Sequence, residues 1–293
     1  MDFGRLITAM VTPFEPNGGI NWDETAKLIE YLIVEQKSDS LVIAGTTGES
    51  PTLSEAEKLE LFKFAVKQAA GRSKIIAGTG SNDTAHSADL TNKAENCGVD
   101  GILLVAPYYN KPNQEGLYQH FKAIAEATSL PVMLYNVPGR TGISLSTATT
   151  LRLAQIPNIA ATKECASIDQ VTAIVAGAPE GFTVYSGDDS AALPALAVGA
   201  YGIVSVASHI AGAQMKEMIG AYVEGKVTEA AKIHQSLFPL FKGLFECPDP
   251  LPNPAAVKFA LNERGYQVGG VRLPLVSPSE SEAAFIRNIL SSL

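Results

Sequence analysis

Short apolar runs alternate along this chain with longer stretches in which apolar residues recur every three to four positions. The short runs cover 6–11, 41–44, 74–78, 101–106, 132–136, 159–163, 182–186 and 202–206. Most are apolar at nearly every position, the pattern of strands buried on both faces. Between them Leu28, Tyr31, Leu32 and Glu35 keep helical spacing. Leu59, Phe62, Val66 and Ala69 do the same behind Ser54-x-x-Glu57, which has the form of a capping box. Further helices are predicted over 84–97, 115–127, 144–155, 167–177, 189–199 and 210–224. An alternation this regular means parallel strands, and eight of them predict a closed α/β barrel, the (β/α)8 TIM barrel, over 1–225. A doubly wound sheet is the competing arrangement. The first βα turn lacks G-x-G-x-x-G, however, and no phosphate-loop motif occurs. Residues 226–293 predict a C-terminal helical extension packed on the barrel, with two or three helices broken by a Pro-rich stretch at 248–254.

Composition narrows the function. Hydrophobic residues make up 46% of the 293, enough for a large core, and charged residues only 18%, which predicts a surface partly covered by partner subunits. A formal net charge of −8 argues against a nucleic-acid partner, which would call for clustered Lys and Arg. The N-terminus does not read as a secretory signal, and no apolar run reaches the roughly 20 residues that cross a bilayer. The expectation is a cytoplasmic protein with no membrane partner. Cys97, Cys165 and Cys247 are widely spaced, so neither a disulfide framework nor a zinc site is expected. The four histidines show no ligand spacing, and no metal is assigned.

Active sites of such barrels form at the C-terminal ends of the strands. Lys163 closes the sixth run after an uncharged stretch. Taken alone it reads as a lysine reaching solvent; partly desolvated, it would favour the neutral amine that attacks a carbonyl. Tyr135 ends the neighbouring strand. It is either core filling or, beside such a lysine, a phenol that moves protons. Thr46 and Thr47 lie in a turn flanked by Gly45 and Gly48, readable equally as a plain loop or as a cradle for a small carboxylate. Arg140, after Pro138-Gly139, is either a surface arginine or a bidentate grip on a carboxylate. Tyr108-Tyr109 is a loop aromatic pair suited to interface packing, proton relay, or both. Asp188-Asp189 at a helix start reads as capping rather than as a metal site.

Three segments carry a resemblance: Gly45-Thr46-Thr47-Gly48-Glu49, Tyr135-Asn136-Val137-Pro138-Gly139-Arg140-Thr141, and Lys163-Glu164. With Thr-Pro-Phe at 12–14 and Asn-Pro-Ala-Ala-Val-Lys at 253–258, the chain resembles the dihydrodipicolinate synthases over its whole length. These belong to the pyruvate-dependent class I aldolase family that also holds N-acetylneuraminate lyase. The resemblance implies that Lys163 forms a Schiff base with pyruvate and that Tyr135 exchanges protons with it, helped by Thr46 and by Tyr109 of an adjacent subunit. It implies substrate binding by Thr47, Gly187 and the backbone at Val204, and a grip by Arg140 on L-aspartate 4-semialdehyde. The implied product is 4-hydroxy-tetrahydrodipicolinate, on the route to diaminopimelate and lysine. No cofactor is implied, and the implied assembly is a homo-oligomer, a tetramer of two dimers. Weak or absent inhibition by L-lysine is implied as well, because Lys58 and His86 depart from the pattern of lysine-sensitive relatives while Asn82 and Tyr108 keep it. A lyase acting on a sugar acid, or a non-catalytic barrel binding a carboxylate, are the competing readings.

Overall fold

The computed structural model describes residues 2–248 and 251–293. Eight parallel strands close into a barrel in sequence order: β1 (Leu6–Ala9), β2 (Ser40–Ile43), β3 (Lys74–Gly78), β4 (Gly101–Val105), β5 (Val132–Asn136), β6 (Ile159–Glu164), β7 (Thr183–Ser186) and β8 (Gly202–Ser205), with β8 pairing back to β1. The fold class read from the apolar alternation is the one observed.

Period-two geometry sorts each strand into two faces. Ile7, Val42, Ile76, Leu103, Met133, Ala161, Tyr185 and Val204 fill the barrel interior. Leu41, Ile43, Ile75, Ile102, Leu104 and Leu134 face the surrounding helices in the main core. These helices are α1 (Trp22–Val34), α2 (Glu55–Ala69), α3 (Thr84–Glu95), α4 (Gln114–Ala125), the one-turn α5 (Pro138–Thr141), α6 (Thr147–Leu153), α7 (Ile168–Gly177), α8 (Ala192–Ala197) and α9 (Ser208–Val223). The capping box before α2 is formed in both directions, Ser54 N to Glu57 at 2.8 Å and Glu57 N to Ser54 Oγ at 3.2 Å.

One irregularity aims the site. Val132 pairs with Ile159 but Met133 pairs with Ala161, so the β5–β6 register steps by one residue. Regular alternation from Ile159, which faces the helices, would turn Lys163 the same way. The extra residue restores the inward phase, and Lys163 sits across from Tyr135 on one side and Tyr185 on the other.

After α9, Gly225 takes a left-handed conformation (φ 81°) and the chain continues into α10 (Val227–Gly243), α11 (Ala255–Glu263) and α12 (Glu280–Ser291). Helix α10 packs on α9 and α12, and α11 on α9 and α12. Of the Pro-rich stretch at 248–254, residues 249–250 lie outside the described residues.

Candidate active site

At the C-terminal mouth of the barrel lies a cavity of about 250 Å³ whose wall includes Thr46, Thr47, Tyr135, Arg140, Lys163 and Gly187. A second cavity of about 230 Å³ shares Thr46, Tyr135, Val137 and Arg140 with it and runs on to Lys58 and Tyr108. Six of the eight residues singled out in the sequence therefore meet in one place.

Lys163 is 5% exposed. Its amine lies 4.2 Å from the centroid of the Tyr135 ring and has no hydrogen-bond or ion-pair partner among the described residues. A lysine reaching for solvent would not sit like this, and burying an ammonium without a carboxylate is costly. Among the described residues the phenol oxygen of Tyr135 has no hydrogen-bond partner either, so Tyr135 is not a core tyrosine with a satisfied hydroxyl. No histidine lines either cavity among the described residues. His209, for instance, is held neutral in the core, pushed down to about 4 by burial, with Nε2 accepting from Val11 N at 3.1 Å.

The ends of β5 and β6 are locked together behind this pair. Glu164 points outward, opposite in phase to Lys163. It accepts Asn136 Nδ2 at 2.9 and 3.1 Å, Ala166 N at 2.8 Å and Gln170 Nε2 at 3.2 Å. Burial pushes its carboxyl up, and these donors pull it back. Gly187 stands beside the lysine. A Cβ there would lie 2.8 Å from Lys163 Cε and closer still to Cys165 Sγ. Its absent side chain is the space that the lysine occupies.

The Thr46-Thr47 turn is held from several sides. Glu49 sits at φ 58°, in the left-handed region, with its carboxylate buried. Glu49 Oε1 pairs with Lys258 Nζ of α11 at 3.1 Å, and Oε2 accepts Arg272 N at 2.8 Å. Thr12 Oγ1 donates to Gly48 O at 2.7 Å, and Lys258 Nζ to Thr12 O at 2.9 Å. Charge, not apolar contact alone, ties the C-terminal helices to the mouth of the barrel.

Arg140, on α5, is exposed at the junction of the two cavities and forms no ion pair among the described residues. Tyr109 is 88% exposed at φ 72°, an aromatic side chain held out from the surface. Val204 is buried in the barrel interior rather than in the cavity wall, where Val206 appears instead. Asp188 caps the short turn that follows, accepting from Ser190 N at 2.9 Å. Asp189 does more than cap. It is buried and accepts from Ser205 Oγ at 2.5 Å, Val206 N at 3.1 Å and Ala207 N at 2.8 Å, fixing the end of β8. No three His, Cys, Asp or Glu side chains among the described residues are placed to hold a metal ion.

Several residues of this cavity were given no site role in the sequence reading, among them Cys165, Asn253 and, from α10 and the residues after it, Phe241, Lys242, Phe245 and Glu246. Cys165 lies two positions beyond Lys163 and so points the same way; strand phase alone could have found it. Burial pushes its thiol up to about 11, so it stays protonated at neutral pH. Asn253 opens the Asn-Pro-Ala-Ala-Val-Lys segment that carries the resemblance, but no site role was read for it, because it reaches the cavity from the C-terminal extension.

Known proteins share this arrangement. The sequence is 57% identical to the 4-hydroxy-tetrahydrodipicolinate synthase of Desulforamulus reducens, covering 100% of this chain and 98% of the relative. The fold superposes on the crystal structure of a dihydrodipicolinate synthase from Bacillus anthracis with a TM-score of 0.97 at 50% identity, covering 100% and 99% of the two chains. It superposes on that from Cyanidioschyzon merolae, a structure with lysine bound, with a TM-score of 0.95 at 42% identity, covering 99% and 98%. The sequence profile of the dihydrodipicolinate synthetase family matches residues 2–293, and the chain belongs to that family.

Proposed function

We infer that the chain is a lyase that condenses pyruvate with L-aspartate 4-semialdehyde to give 4-hydroxy-tetrahydrodipicolinate, a step of lysine and diaminopimelate biosynthesis. The observation that carries this reading is a buried, unpaired Lys163 stacked on Tyr135 in a cavity that also holds Thr47 and Arg140. The neutral amine of Lys163 adds to C2 of pyruvate, and water leaves to give the Schiff base. Loss of a C3 proton gives an enamine, whose C3 attacks the aldehyde carbon of the second substrate. The substrate amine then displaces Lys163 from C2, closing the ring and freeing the lysine. One water is released overall, and the lysine itself supplies the electron sink that a cofactor would otherwise provide.

No histidine lines the cavity among the described residues, and Tyr135 and Thr46 in its wall, with Tyr109 of a neighbouring subunit, are assigned to proton transfer. Thr47 and Gly187, in the cavity wall with Lys163, are assigned to pyruvate, and the backbone at Val204, behind that wall, is assigned to it by the family resemblance alone. Arg140 is assigned to the carboxylate of the second substrate, because its guanidinium is unpaired where the cavity opens. Tyr109 lines neither cavity of its own chain and is held out from the surface, which supports a homo-oligomer, a tetramer of two dimers, in which Tyr109 acts in the neighbouring site. Treatment with pyruvate and borohydride followed by peptide mapping tests the central step; a reduced adduct on any lysine other than Lys163 refutes it. Coupled assays with aspartate semialdehyde and with a sugar-derived aldehyde test the second substrate. Mixing Tyr109→Phe with Lys163→Ala subunits tests the crossing: regained activity supports it, and none refutes it.

A further inference from the structure

Asn253 brings an amide from the C-terminal extension into the active site. Its Nδ2 donates to Thr47 Oγ1 at 2.9 Å, from a residue 6% exposed to one 3% exposed. This is the one side-chain hydrogen bond of Thr47 among the described residues. A hydroxyl offers one proton and two lone pairs. With a lone pair engaged by the amide, the proton is left without a protein acceptor, in the same cavity wall as Lys163. The other end of the amide, Oδ1, is buried without a partner. The reversed amide would leave both Nδ2 protons without a partner, where the assigned orientation leaves one, and a buried unpaired N–H is the rarer defect in proteins.

We propose that Asn253 is a positioning residue for the 2-oxo acid: by donating to Thr47 Oγ1 it makes the Thr47 hydroxyl a committed donor to the substrate carboxylate. The proposal rests on the reading of Thr47 as pyruvate-binding. A carboxylate accepts hydrogen bonds and cannot donate them, so a hydroxyl free to turn either way binds it less well than one whose polarity is set in advance. The device also discriminates. A substrate presenting a donor or an apolar group to Thr47 meets a proton it cannot use. It further gives the extension a share in the chemistry, through a residue 206 positions away from its target.

The test is a double-mutant cycle on the full-length enzyme, read by pyruvate-dependent borohydride tagging and by steady-state kinetics. Asn253→Ala should raise the pyruvate KM about tenfold, the scale of one hydrogen bond to a charged group, with kcat at saturating pyruvate nearly unchanged. Asn253→Asp keeps the shape but can only accept; it should take the Thr47 proton and raise KM further. In a Thr47→Val background, Asn253→Ala should add little, because its route to the substrate is already gone. Losses that multiply in the double variant, or a fall in kcat at constant KM, would mean that Asn253 acts on structure and overturn the proposal. Melting curves accompany each variant, and the nearly isosteric Asp keeps the question answerable if Ala does not fold. A tagged parent with unchanged variants refutes this proposal alone; an untagged parent removes the Schiff-base reading and this proposal with it.

Discussion

Lys163 fits inside the barrel because residue 187 has no side chain. Gly187→Ala would place a methyl 2.8 Å from Lys163 Cε and closer to Cys165 Sγ, so that both side chains must shift toward the cavity that the substrate needs. The variant should fold and lose most pyruvate tagging; a fully tagged Gly187→Ala enzyme would show that the lysine has another resting place. Tyr135→Phe is the complementary change. It removes one oxygen that has no hydrogen-bond partner among the described residues, so the melting temperature should hold while turnover falls by about 10²–10⁴-fold. Near-normal turnover would reduce Tyr135 to packing. At this scale the lysine, tyrosine and threonines were legible as residue types at strand ends. The tight fit at Gly187 was not, because it depends on which side chains three neighbouring positions send into one space.

Strands were the most legible elements, because burial on both faces leaves little room for polar residues. β3 and β5 have the limits read from the sequence. β1 stops at Ala9 although the apolar run continues through Val11, and Met10 N still donates to Val42 O of β2 at 3.1 Å. Two helices were harder to read. Pro138-Gly139 reads as a turn, yet it opens the four-residue α5 that carries Arg140. The helix expected over 189–199 is a 3₁₀ turn, Asp189–Ala191, followed by α8. Asp189 explains that break, since its carboxylate reaches across to β8 instead of staying with its own helix. Burial raises this carboxyl from 3.8 to about 6, against the pull of its three donors. The unfolded chain therefore ionises first as pH rises. Between about pH 4 and pH 6 the native state holds a proton that the unfolded state has lost, and stability declines through that window before levelling off. The melting-temperature difference between the parent and Asp189→Asn should shift against the parent over this range. A pH-independent difference would show that Asp189 does not titrate there.

Across the whole molecule, the two joined cavities set what can regulate the enzyme. L-lysine would bring two ammonium groups and one carboxylate to the second cavity. No Asp or Glu lines that cavity among the described residues, and Lys58 does. The nearby acids are already engaged: Glu55 with Lys93 at 2.6 Å and His86 at 3.7 Å, Glu57 with Arg272 at 2.5 Å. A missing charge-assisted partner weakens binding by about tenfold or more, so L-lysine at millimolar concentration should leave most activity intact. Inhibition at sub-millimolar lysine would overturn this.

The hydrogen bonds and ion pair that reach from Asn253, Lys258 and Arg272 to the turn after β2 also set an order in time. A chain emerges from the ribosome N-terminus first. When β8 has just appeared, every strand of the barrel exists, yet Thr47 and Glu49 still wait for partners encoded about 50 to 70 residues later, which synthesis at 5–20 residues per second delivers within seconds. The turn assigned to the 2-oxo acid is thus completed last, and a message cut short after the barrel leaves Thr47 and Glu49 without these partners, beside a Lys163 whose strand is already made.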